Sequence, residues 1–135
     1  MVGTDSEIIS HRLTRAYETL EEARLMAVAQ RWNATVNRLY YSCFYAVSAL
    51  LLTKGLQSSK HSGVRGLLST HFVRTGLFPK ELAVLYNSLF DTRNESDYED
   101  FFSADPDEVL PWLEMTPVFL DQIKQMILLL DHKAL

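Results

Sequence analysis

The chain has 135 residues, 47% of them hydrophobic and 22% charged, the proportions of a soluble globule rather than a disordered or fibrous chain. That length suits one domain over residues 1–135, with a core that needs no covalent staples. The formal net charge of −4 hides a separation, with residues 1–22 summing to −3, residues 23–80 to +8 and residues 81–135 to −9.

Residues 23–80 hold eight Lys or Arg and no acid. Such a segment either offers phosphate an electropositive face or is neutralised by the acidic segment, within the bundle or across a dimer. Cys43 is the only cysteine, which excludes an internal disulfide and a thiolate zinc cluster and reads as an inert buried thiol. The histidines at 11, 61, 71 and 132 fall in no metal-ligand spacing, so neither a metal nor a cofactor is predicted. Asp5 and Glu7 stand where a secretory signal would carry basic residues. The longest uncharged stretch, 39–53, has 15 residues, short of the roughly 20 a membrane span needs. A cytoplasmic protein with no membrane partner is the expectation.

Taken in chain order, the elements read as helices, because no stretch keeps a period of two. Thr4-x-x-Glu7 resembles a capping box opening the first helix. Ile9, Leu13, Ala16, Leu20, Ala23 and Ala27 then form one apolar stripe, to about Gln30. Asn33 is the predicted N-cap of a second helix over about 34–54. That helix is apolar on nearly all sides, so it is either central or contributes a face to a subunit interface. Its Tyr40, Tyr41, Phe44 and Tyr45 are more economically core than a base-stacking surface. Gly55 closes it by supplying a left-handed residue.

Ser58 or Ser59 is the predicted cap of a third helix running to about Thr75. Pro79 suits the first turn of a fourth, with Leu82, Leu85, Tyr86, Leu89 and Phe90 inward. Asp105-Pro106-Asp107-Glu108 starts a fifth, which Pro111 and Pro117 are expected to kink. Its stripe is Leu113, Leu120, Ile123, Ile127 and Leu130. The fold class is all-α, an up-and-down four-helix bundle with an additional short helix.

After the apolar run of the fourth helix, and before a loop, comes Arg93-Asn94-Glu95-Ser96-Asp97-Tyr98. Arg93 and Asp97 are one helical turn apart and meet on one face. Three patterns occur in order: Arg38-Leu39-Tyr40-Tyr41-Ser42-Cys43-Phe44-Tyr45-Ala46, then Lys60-His61-Ser62-Gly63-Val64, then Arg93-x3-Asp97-Tyr98. Together, over roughly residues 10–130, they resemble the HEPN domain and in particular its small stand-alone prokaryotic members.

The resemblance implies a homodimer, often partnered by a minimal nucleotidyltransferase in a two-component module, some of them toxin and antitoxin. It also implies, for active relatives, metal-independent RNA cleavage by an Arg followed after four to six residues by a His. Such cleavage needs a proton carrier titrating near neutrality and a guanidinium on the developing phosphorane charge. Arg93 matches the motif arginine, whereas Tyr98 stands in the first histidine slot and no His follows before Asp100. A phenol, with an ordinary pKa of about 10, is a poor base at neutral pH. His61, beside Lys60 at the start of the third helix, is the substitute candidate, with packing as its plainer role. Tyr98 reads as a packed ring with a bonded hydroxyl, or as a site modified by a partner. Related modules place a modifiable tyrosine two residues past the motif His, a slot filled here by Asp100.

The leading expectation is a HEPN subunit that binds nucleotide, RNA or a partner nucleotidyltransferase in a groove around Arg93, Asp97, Tyr98, Lys60, His61, Arg38 and Tyr41. The alternatives are a ribonuclease toxin using Arg93 with His61, and a non-catalytic dimerisation or adaptor module.

Overall fold

A computed structural model of the chain describes residues 5–130. Thr4 of the expected capping box, His132 and Lys133 lie outside the described residues. Five α-helices follow in order: α1 Asp5–Val28, α2 Trp32–Leu52, α3 His61–Leu68, α4 Lys80–Tyr98 and α5 Pro106–Leu130. A π-helical turn, Ser69–Val73, extends α3, and no strand occurs among the described residues.

α1 buries the predicted stripe, from Ile9 to Ala27, without exception. It packs antiparallel on α2, with the Ser42 hydroxyl donating to the Ala16 carbonyl at 2.7 Å and Arg38 meeting Glu22 at 3.2 Å. α2 is the central helix, touching α1, α3, α4 and α5. Twelve of its 21 residues are buried, as a helix lacking a polar face requires. α5 runs in the same sense as α2, since Asn33 meets Ala104 near both helix starts. Tyr17 ties α1 to α5 by donating to Asp121 at 2.6 Å.

Several helix ends differ from expectation. Asn33 lies inside α2, whose cap position is Arg31 with no side-chain capping bond. α1 ends first because Gln30 turns left-handed at φ 59°, with the Arg31 amide returning to Met26 and the Gln30 amide to Ala27. That closure sends the chain straight into α2, leaving Asn33 free for another task. Its Oδ1 accepts from the Ala104 amide at 2.8 Å and its Nδ2 donates to the Phe102 carbonyl at 3.2 Å. Asn33 therefore pins the loop between α4 and α5.

Gly55, at φ 69°, closes α2 as predicted. The Leu56 amide bonds the Leu51 carbonyl, the pattern that satisfies the last carbonyls of a helix. Lys60, not Ser58 or Ser59, occupies the α3 cap position, and no side chain caps the helix. Ser58 instead accepts from the Lys60 amide at 3.2 Å, and its hydroxyl fills the space a Cβ on Gly63 would need. Regular α-geometry stops at Leu68 rather than Thr75, where the π turn takes over.

Pro79 is the cap residue of α4 rather than part of its first turn. The five inward residues predicted for α4 are all buried. Asp105 caps α5 as expected, its Oδ1 accepting from the Asp107 amide at 2.9 Å. α5 continues as one helix through Pro111 and Pro117. Leu120, Ile123 and Ile127 of its stripe are buried, while Leu130 is exposed.

Because Asn33 supplies the two bonds that tie the 102–104 backbone to α2, Asn33→Ala is expected to cost about 1–2 kcal/mol. Urea unfolding measures that loss, and the Ala104 amide should exchange with solvent faster than in the parent.

Candidate functional site

α4 and α2 meet where Arg93 lies over two rings of the central helix. Its guanidinium carbon is 4.8 Å from the Tyr40 ring centre and 5.7 Å from that of Tyr41. Nη1 donates to Asp97 Oδ2 at 3.1 Å and more weakly to the Tyr41 hydroxyl at 3.5 Å, and Nη2 donates to Asn94 at 2.8 Å. The Arg93 side chain retains only 13% of its exposure, against 41% for Asp97. An ion pair with so exposed an acid contributes about 0.3–0.5 kcal/mol. A partly desolvated guanidinium on an aromatic face is worth about 1–2 kcal/mol. The rings, then, hold Arg93 in place, and Asp97 is the more readily exchanged partner. Arg93 Nε is buried with no hydrogen-bond acceptor among the described residues.

His61 opens α3 and packs on the same aromatic cluster. Its ring stacks on Phe44 at 4.6 Å and on Tyr40 at 5.6 Å, and its Nδ1 is 2.8 Å from the Tyr40 hydroxyl. Burial first, and then the Arg93 charge, hold the imidazole below its ordinary pKa. It is therefore neutral at neutral pH, with Nδ1 engaged by Tyr40. Tyr40 is fully buried, and that burial outweighs the nearby Arg93 charge and pushes its phenol up to about 12.

Arg93, His61, Lys60, Tyr41 and Tyr98 line one open groove of about 520 Å³, together with Asn94 and Phe90. Asp97 borders it through its bond to Arg93. Arg38 stands on the Tyr41 ring, 5.3 Å from its centre, while bonding Glu22 and Asn37. All seven residues singled out in the sequence thus gather around Tyr41 and Arg93. The packed-ring reading of Tyr98 is overturned, because its side chain is 83% exposed at the last turn of α4. Tyr98 is the last residue of α4, whose buried residues end at Phe90.

Two contributors were missed in the sequence. Asn94 clamps the guanidinium, and Tyr40, read only as core, holds His61 through its hydroxyl. Nothing local links positions 40 and 61. Of the aromatic cluster, Tyr40 is core, whereas Tyr41, Phe44 and Tyr45 are half-buried and packed against it. Among the described residues, Arg65–Asp91 at 3.3 Å is the only ion pair joining the basic segment to the acidic one. Little of the basic charge is thus neutralised from the acidic side. No group of three or more potential metal-holding side chains occurs among the described residues, and no helix there is long and apolar enough to cross a membrane.

The HEPN domain profile matches residues 9–126. The chain belongs to the HEPN family. A Thermotoga maritima relative named "UPF0332 protein" is 42% identical over 90% of this chain and 92% of its own length. Two Methanocaldococcus jannaschii relatives are named "Putative toxin MJ0142" and "Putative toxin MJ0605". The first is 30% identical over 86% of this chain and 79% of its own length, the second 28% identical over 82% and 81%. The all-helical architecture agrees with this HEPN assignment.

In this HEPN chain the lowered His61 pKa has a definite sign. Between the folded value and the ordinary 6.5, the unfolded chain binds more protons at His61, so stability rises with pH through that window and is weakened below it. Arg93→Gln removes one of the two depressing causes. The His61 titration followed by NMR is expected to sit below 6.5 in the parent and to move upward in the variant.

Proposed function

We propose that this protein is the HEPN subunit of a two-component, toxin–antitoxin-type module, built as a homodimer of one-domain chains. Its Arg93 groove receives a phosphate of nucleotide or RNA, and a partner nucleotidyltransferase docks over the same rim. The observation that carries this reading is the state of Arg93. A cation held by aromatic faces, whose ion-pair partner is a surface-exposed carboxylate, is poised to exchange that carboxylate for a ligand phosphate. Charge-assisted bonds from guanidinium to phosphate are about twice as strong as neutral ones. Lys60 on the same groove adds a second cation, and exposed Tyr98 offers a ring for a base or a partner surface. Relatives named as toxins support the module assignment.

A second reading has its own support. His61 shares the groove with Arg93 and is neutral at neutral pH, the state a proton acceptor requires. Metal-independent RNA cleavage would then use His61 for proton transfer and Arg93 for the phosphorane charge.

The decisive assay is binding and cleavage of single-stranded RNA in EDTA, with the oligomeric state followed by light scattering. The first reading expects a dimer that binds RNA or mononucleotide without cleaving it. Arg93→Gln should weaken that binding at least tenfold without changing the mass. Cleavage lost in both Arg93→Gln and His61→Asn at unchanged melting temperature would establish the second reading instead. A monomer in which neither substitution alters RNA or nucleotide binding would overturn both.

A further inference from the structure

A second cleft lies on the other side of Phe44, between α1, α2 and the segment leading to α3. It encloses about 300 Å³, the small end of the range of ligand pockets. Partly buried Phe44 and Leu56 give it an apolar wall, and Arg12, Arg15, Tyr45 and Ser48 stand among its lining residues, none of which is acidic. Arg12 reaches from α1 to the Ser48 carbonyl at 3.2 Å and forms no ion pair among the described residues. That single bond fixes the side chain and leaves most of the five guanidinium donors uncommitted. Arg15 lies 5.3 Å from the Tyr45 ring centre, with Glu18 as its 3.3 Å partner.

We infer that this cleft binds a compact organic anion with a flat apolar body. The body packs against Phe44 and Leu56, and a phosphate or carboxylate head bonds Arg12, with Arg15 beside it. Neither half of such a ligand suffices alone. The apolar interior gives an inorganic ion nothing to bury, and a neutral ring leaves the Arg12 donors unanswered. The cleft is separate from the Arg93 groove, because Phe44 lines the cleft while His61, stacked on Phe44, lines the groove. This site does not depend on the function proposed for that groove.

Phenyl phosphate is the test ligand, titrated into the full chain by calorimetry, with benzoate, phenol and inorganic phosphate in parallel arms. Saturable binding of one phenyl phosphate in this cleft is expected, at least tenfold tighter than phenol or inorganic phosphate. Benzoate separates a phosphate preference from a general anion preference, and tight binding of either ligand supports the site. Arg12→Gln should weaken binding at this cleft at least fivefold, and any phenyl phosphate taken by the Arg93 groove is identified by its loss on Arg93→Gln. Should Arg12→Gln fail to fold, Arg15→Gln and the Phe44 and Leu56 resonances of the parent protein supply the readout. Those resonances must move on titration. Absence of saturable binding by both anions would overturn the inference. So would binding lost on Arg93→Gln but kept on Arg12→Gln and Arg15→Gln.

Discussion

A helix with no polar face has to be covered on every side, and α2 imposes that condition on the rest of the molecule. α1 covers it with a stripe of small and branched residues, and α4 and α5 bring their aromatic and aliphatic faces to it. α2 also carries phenols, which set a second condition. Burying the Tyr40 ring buries its hydroxyl, which needs a partner. His61, at the first position of α3, supplies one 2.8 Å away. Tyr41 and Phe44 stay half-covered, so their faces remain available to Arg93 and to the His61 ring. The position of both candidate site residues thus follows from how an apolar, tyrosine-rich helix is made compatible with burial.

The same packing sets the electrostatics of the groove. The guanidinium over the tyrosine faces has lost most of its water, and its charge adds to burial in depressing the neighbouring imidazole. Asp97, exposed and one turn away, answers that charge only partly. A cation with a weak partner, a neutral histidine and an exposed phenol therefore converge on one open surface. The missing motif histidine of the active ribonucleases is not restored in sequence, yet an imidazole stands in the groove from a different helix.

Much of the fold was legible because it is written in local periodicity. The α1 stripe, the all-round apolarity of α2, the inward face of α4 and the Asp105-Pro106 helix start depend on spacing or on a single cap, and each appears as read. Asn33 shows where local rules give out. Its residue type suits an N-cap, but the left-handed Gln30 had already turned the chain, and the amide was taken by a loop 70 positions away (Phe102 and Ala104). The end of α3 was misplaced because Leu67, Leu68, Phe72 and Val73 continue a helical apolar pattern straight through the π turn. Within the site, Arg93 and Asp97 were legible as a helical pair. The Tyr40–His61 bond was not, since it joins residues 21 apart that only tertiary packing brings together. The exposure of Tyr98 depends on where α4 lets go of the core, a boundary that no residue in the hexamer signals.

The account rests on the Arg93 guanidinium being a phosphate receptor rather than only a brace between α4 and α2. Its Nε–H resonance, observed by 15N NMR while a short single-stranded RNA is added, addresses that directly. The account predicts that the Arg93 Nε–H and the His61 ring signals shift together, in a saturable way, and by more than other arginine signals. RNA binding that leaves both unmoved, or a full titration that moves no groove resonance, would contradict it.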